Sequence, residues 1–90
     1  MVITAGGVVR NISDLRINNV TAGQNDNDVR VTDGGVLESA IIRIGLASTT
    51  NGTLTITDGG VLQFLQATPN VIINNAAGGN ALVMDGGILS

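Results

Sequence analysis

Aliphatic and polar residues alternate with a period of two along much of this chain, and paired glycines interrupt the alternation at near-regular intervals. A period of two is what a half-buried β-strand requires, because successive side chains point to opposite faces. The unit recurs as VITAGGVV (Val2 to Val9), RVTDGGVL (Arg30 to Leu37), TITDGGVL (Thr55 to Leu62) and LVMDGGIL (Leu82 to Leu89). Its glycine pairs start at Gly6, Gly34, Gly59 and Gly86, giving spacings of 28, 25 and 27 residues. That period is too long for a hexapeptide or nonapeptide solenoid and suits a coil of short strands joined by turns. A second series, Leu15-Arg16-Ile17-Asn18, Ile42-Arg43-Ile44-Gly45 and Val71-Ile72-Ile73-Asn74, follows the glycine pairs and ends each time in a turn former.

The alternation assigns the faces. Before each glycine pair the inward positions are Met1 and Ile3, Val29 and Val31, Leu54 and Ile56, Ala81 and Val83. The outward ones are Val2 and Thr4, Arg30 and Thr32, Thr55 and Thr57, Leu82 and Met84. After the pair, Val9, Leu37, Leu62 and Leu89 point inward, as do Leu15 and Ile17, Ile42 and Ile44, Val71 and Ile73 in the second series. Equivalent residues then stack in aliphatic columns about 4.8 Å apart from coil to coil. A lone coil buries too little to fold.

The glycine pairs have a backbone explanation. Aspartate bonds its own backbone and glycine accepts positive φ, so Asp33-Gly34-Gly35, Asp58-Gly59-Gly60 and Asp85-Gly86-Gly87 predict sharp corners, with Gly6-Gly7 forming the first. The stretches 21–27, 47–52 and 76–80, rich in Gly, Asn, Ser and Thr, read as the coil's variable turns. The predicted fold is all-β: a single domain over residues 1–90, a three-sided right-handed parallel β-helix of about three coils. The handedness follows from the preference of crossover connections.

Composition narrows what such a fold can do. The chain has no Cys or His, so disulfides, His or Cys metal sites, thiol nucleophiles and His-based triads are excluded. With four Arg, no Lys and seven acids the net charge is −3, which disfavours nucleic-acid binding. Phe64 is the only aromatic residue, so base-stacking platforms are missing too. No apolar run is long enough for a membrane-spanning helix, and MVITAGGVVRNISD lacks the basic start and apolar core of a signal peptide. The expected partners are further copies of the chain, as a homo-oligomer or filament, or a surface or virion component. No cofactor is expected.

The stretch from Ile44-Gly45 through Asn51-Gly52-Thr53-Leu54-Thr55-Ile56-Thr57-Asp58-Gly59-Gly60-Val61-Leu62 resembles the repeats of bacterial autotransporter passenger domains and related surface β-helix proteins. Those repeats run Ile-Gly, a loop of small residues, Gly-Thr-Leu-Thr-Ile, then Asp-Gly-Gly and an aliphatic pair; phage β-helix proteins share the pattern. Arg30 to Leu37 matches its second half, and the two outer copies match at the glycine corner. The resemblance implies a β-helix of structural character in an extracellular, cell-surface or virion-surface setting.

Each candidate site has a plainer reading beside it. Stacked aspartates at 33, 58 and 85 would repel and could recruit a cation, but Ala5 stands in the first copy, which favours corner chemistry. The loop Asn25-Asp26-Asn27-Asp28 is dense in oxygen but lacks the Gly spacing and terminal Glu of a calcium loop, and reads as a solvated turn. A glycosidase or lyase face would have to draw on those aspartates or on Glu38, Arg43, Arg10 and Arg16, without any aromatic platform for a sugar; no enzyme activity is expected. Arg16 and Arg43, sharing an outward column, are expected to pair with acids. The outward column Val8, Val36, Val61 and Ile88, with Leu82 and Met84, forms a candidate lateral contact surface. The coil ends show no polar cap, so their unpaired strands would template another copy. The expected function is a non-catalytic structural unit of a surface, fibre or virus-like assembly that self-associates through solenoid ends; the alternative is an adhesion or glycan- or protein-binding module of a longer passenger or tail fibre.

Overall fold

A computed structural model of the chain describes residues 1–66 and 70–90. The described residues form strands and turns with no helix. In chain order the strands are β1 (Val2–Ile3), β2 (Val8–Ile17), β3 (Asp28–Val31), β4 (Val36–Ile44), β5 (Thr53–Thr57), β6 (Val61–Phe64), β7 (Asn70–Ile73), β8 (Ala81–Asp85) and β9 (Ile88–Leu89). One sheet runs β1-β3-β5-β8, the other β2-β4-β6-β9 with β7 also on β4, and every strand pair is parallel. This is a β-solenoid of about three turns.

The long strands carry two faces each. Residues 36–39 of β4 pair with β6 and residues 41–44 with β7. The burial alternation changes phase between those halves: Leu37 and Ser39 are buried, Ala40 and Ile41 half-buried in succession, then Ile42 and Ile44 buried. Such a phase change keeps the inward side inward while the chain turns a corner, so two sheets enclose a three-sided core. In β2 the same turn holds one extra residue, because Val9 pairs with Leu37 but Ile12 with Ser39. Asn11 takes up this bulge at φ +59°, and its N–H donates to Glu38 Oε1 at 3.3 Å. The bulge lengthens the first coil without disturbing the register on either side.

The core is the expected set of aliphatic columns. Ile3, Val31 and Ile56 form one, Val29 and Leu54 another, Leu37 and Leu62 a third, and Ile17, Ile42 and Ile44 close the remaining side. Val9, Ile12, Leu15, Phe64, Val71 and Leu82 pack against them half-buried. Burying each such side chain is worth roughly 1.5 to 3 kcal/mol, and only stacked coils provide that burial.

The fourth coil departs from the expected register. Leu54 pairs with Leu82 and Ile56 with Met84, so Leu82 and Met84 occupy inward columns and Val83 lies in the outward column with Thr55. Ala81 and Val83, expected inward, therefore do not continue the columns of Leu54 and Ile56. The cause is a missing residue. In the other copies a threonine precedes the corner (Thr4, Thr32, Thr57), whereas Met84 leads straight into Asp85. Keeping the larger Leu82 and Met84 over the core places Asp85 opposite Thr57, while Ile88 still pairs with Val61.

The first three corners share one geometry. Ala5 and Gly6, Asp33 and Gly34, and Asp58 and Gly59 all have positive φ, 47 to 78°. Gly7, Gly35 and Gly60 donate back to Thr4, Thr32 and Thr57 carbonyls at 2.8 to 2.9 Å. Two successive left-handed residues closed by that bond make a type I′ turn. The following glycine has a different role: a Cβ on Gly35 would lie 2.5 Å from the Ile3 carbonyl oxygen of the neighbouring coil. At the fourth corner only Gly86 keeps positive φ (73°), and Gly87 lies against the Ile56 backbone.

Two outcomes follow. Gly35→Ala should lower the unfolding free energy by about 3 kcal/mol through backbone overlap, against about 1 kcal/mol for Gly34→Ala, which meets open space but needs positive φ; urea titration of both variants checks the order. Inserting a threonine between Met84 and Asp85 restores the four-residue corner, and amide exchange in β8 should slow roughly fivefold for the turn hydrogen bond regained.

Candidate functional site

The corner aspartates do not form a three-membered column. Asp33 and Asp58 are adjacent, with the Asp33 N–H donating to the Asp58 carbonyl at 3.0 Å, but Asp85 is displaced by one position and pairs with Thr57. Among the described residues no group of three or more acidic, His or Cys side chains is placed to hold a metal ion. The oxygen-rich loop is engaged within the coil stack. Asn51 Nδ2 donates to Asp26 Oδ1 at 3.0 Å, Thr53 Oγ1 to Asp28 Oδ1 at 2.6 Å, and Thr50 Oγ1 to Asn25 Oδ1 at 2.7 Å. These groups lace one turn to the next.

The arginine column is in register, Arg16 opposite Arg43, on the outer surface. Asp14 lies between them and accepts from Arg16 Nε at 2.9 Å and from Arg43 Nε at 3.2 Å. It offsets the repulsion of two guanidinium groups one strand apart, an exposed arrangement worth roughly 1 kcal/mol or less. Glu38 sits elsewhere, on the bulge amide of Asn11, and Arg10 lies exposed on the first coil. The structure thus brings Arg16, Arg43 and Asp14 together and leaves Glu38 and Arg10 outside that group.

The aliphatic column Val8, Val36, Val61 and Ile88 is continuous and in register on the outer surface. Val36 and Val61 are half-buried, and the two end members are exposed. Leu82 and Met84 are not part of it, since they lie over the core on a different sheet. A stripe one residue wide and four strands high measures about 14 Å along the coil axis from the 4.8 Å strand spacing. It is too small by itself to bury the roughly 800 Å² that each partner contributes to a standard interface.

A buried polar corner was not evident from the pattern of the sequence. Two columns, Asn18–Gly45–Asn74 and Asn27–Gly52–Asn80, run down the turn between the third face and the first. Asn80, 2% exposed, donates through Nδ2 to the carbonyls of Thr49 (2.7 Å) and Asn74 (2.9 Å), and its Oδ1 accepts from the Gly52 N–H at 2.8 Å. Asn18 donates to the Thr50 carbonyl at 2.8 Å and accepts from Asn27 Nδ2 at 2.6 Å. The middle coil has glycine in both columns because a Cβ on Gly52 would meet Asn18 Nδ2 at 2.8 Å, and one on Gly45 would meet Asn80 Nδ2 at 2.5 Å. The available signal was the alternation of Asn and Gly at equivalent positions, which a turn reading alone absorbs.

The two ends differ. At the first coil, Ile3 and Ile17 are buried, and the turn after Asn18 folds back, Gln24 Oε1 accepting from the N–H groups of Val20 and Thr21. An open cleft of about 320 Å³ lies there, lined by Arg16, Asn18, Val20, Gln24, Asn27 and Asp28 among others. At the last coil, inward residues are uncovered: Met84 is 39% exposed and Leu89 58%, with Ile73 at 43% on the third face. No protein-family model, curated protein or solved structure matches the chain.

Asn80→Ala should cost about 2 to 4 kcal/mol, because it strands the buried Thr49 carbonyl and Gly52 N–H together with a part-buried carbonyl of Asn74. Denaturant melts against Gln63→Ala, at an exposed position of β6, provide the comparison.

Proposed function

We propose that this chain is a non-catalytic structural β-solenoid unit of a surface, fibre or virus-like assembly, and that it self-associates through the ends of its coil stack. The observation that carries the reading is the uncovered last coil, where strands β8 and β9 have an unpaired edge and their inward side chains Met84 and Leu89 face water. Unpaired parallel edges above an aliphatic core favour addition of further strands in the same register. The absence of His, Cys and Lys from the sequence and the use of Asp14, Asp26 and Asp28 in coil-to-coil bonds support a structural over a catalytic role. The likeness of the Ile44 to Leu62 segment to autotransporter-type and phage β-helix repeats supports a cell-surface or virion-surface setting.

A second reading, an adhesion or ligand-binding module, draws on the cleft beside the 19–28 turn, where Arg16 and several amides meet solvent. Sedimentation velocity of the purified chain across concentration, with negative-stain imaging of heavy fractions, separates the two. Growth with concentration into stacked particles is the expected result. A folded monomer at high concentration would overturn self-association and leave the binding module.

A further inference from the structure

The geometry points to a specific head-to-tail junction: the last coil of one copy is the docking surface for the first coil of a second copy, with β8 seated on β1 and β9 on the start of β2. This rests on the self-association reading and adds the surface, the polarity and the register.

Shape comes first. Four parallel strands stacked at about 4.8 Å span about 14 Å, which matches the shortest dimension of the 34 × 24 × 17 Å molecule. The coil axis is therefore the short axis, and the two ends are the broad faces. The rectangle bounding an end is about 800 Å², the share each partner supplies in a standard interface. The widest side is bounded by about 580 Å², so the ends are the larger faces.

Chemistry selects the pairing. Extending the register of β5 on β8 by one coil places Met1 over Leu82, Val2 over Val83 and Ile3 over Met84. The same step on the second face places Val8 over Ile88 and Val9 over Leu89. Each exposed inward aliphatic of the last coil thereby meets an aliphatic, and the outward end residues Val2 and Val83, where inner coils carry Arg30 and Thr55, become neighbours. Charge sets polarity. Asp85 is the only charged side chain after Asp58, while in the first coil Arg10 and Arg16 are balanced by Asp14 and Asp26. Head-to-tail stacking places the acidic last coil against a first coil whose side-chain charges balance, whereas two last coils facing each other would juxtapose their Asp85 side chains.

The third face behaves differently. It holds three strands, ending in β7, where the first two faces hold four. A copy seated on β8 and β9 leaves a strand-wide gap above β7, and Ile73 stays outside the contact.

The absence of cysteine makes a direct test clean. Val2→Cys and Val83→Cys variants are prepared separately, mixed, oxidised and analysed by mass. Across the junction their Cα atoms lie about 4.8 Å apart, inside disulfide range; within one molecule they lie on opposite edge strands about 14 Å apart, beyond it. The expected product is the mixed Val2–Val83 disulfide in more than tenfold excess over either symmetric one. Met84→Lys and Leu89→Lys, checked for fold by circular dichroism, should each shift assembly to at least tenfold higher concentration, and Ile73→Lys should not. A symmetric Val83–Val83 product overturns the junction and leaves self-association standing. Large species without any disulfide likewise overturn the junction alone, and a monomer throughout overturns both.

Discussion

The spacing of about 4.8 Å between parallel strands governs this molecule. Each residue has as its closest neighbours the residues at the same position one coil above and one below, so a position is selected as a column and not as a site. Ile3, Val31 and Ile56 satisfy that constraint with like upon like. Gly35 satisfies it by absence, since the neighbouring Ile3 carbonyl occupies the place of its Cβ. Arg16 and Arg43 satisfy it only because Asp14 stands between them. The Asn–Gly–Asn columns answer the same demand by alternation, the glycines giving room to amides that bond across coils.

This organisation explains how a chain with one aromatic residue and no disulfide can hold a core. The core is a set of narrow columns, each closed by the coil above, so branched aliphatics with few rotamers fill it and large rings are not required. Among the described residues the buried polar side chains are Ser39, Thr49, Asn18 and Asn80, which hydrogen-bond at the turns where the chain changes face. In the last coil the inward residues Met84 and Leu89 are exposed.

Much of the fold was legible in the sequence because strand, corner and repeat each leave a period. The glycine corners at Gly6, Gly34 and Gly59, the columns through Leu37 and Ile44, and the shared outward column of Arg16 and Arg43 follow from the repeat alone. The fourth coil was not, because aligning Asp85 with Asp58 treats the corner as the fixed point. In the fold the fixed points are the aliphatic column and Asn80, whose bonds to Thr49, Asn74 and Gly52 pin the start of β8, and the missing threonine is absorbed at the corner. The Asn11 bulge was hidden for a similar reason: a single extra residue at a turn leaves both flanking patterns intact. Among the candidate site residues, the arginine pair and the aliphatic column could be placed by register, whereas the buried amides could not. Asparagine at a turn has the same local signature whether its side chain faces water or another coil.

The uniform separation of paired residues has a consequence for how the chain reaches this state. From Asp28 with Thr53 to Ile41 with Asn70, strand partners are 25 to 29 residues apart, and among the described residues no hairpin supplies a nearer contact. That is close to a third of the chain for every pairing, the non-local pattern that makes all-β domains slow to fold. Two neighbouring coils must close before either gains from burial, so nucleation is expensive and each later coil adds at smaller entropic cost. A molecule built this way searches slowly for its first turn and then grows along its axis.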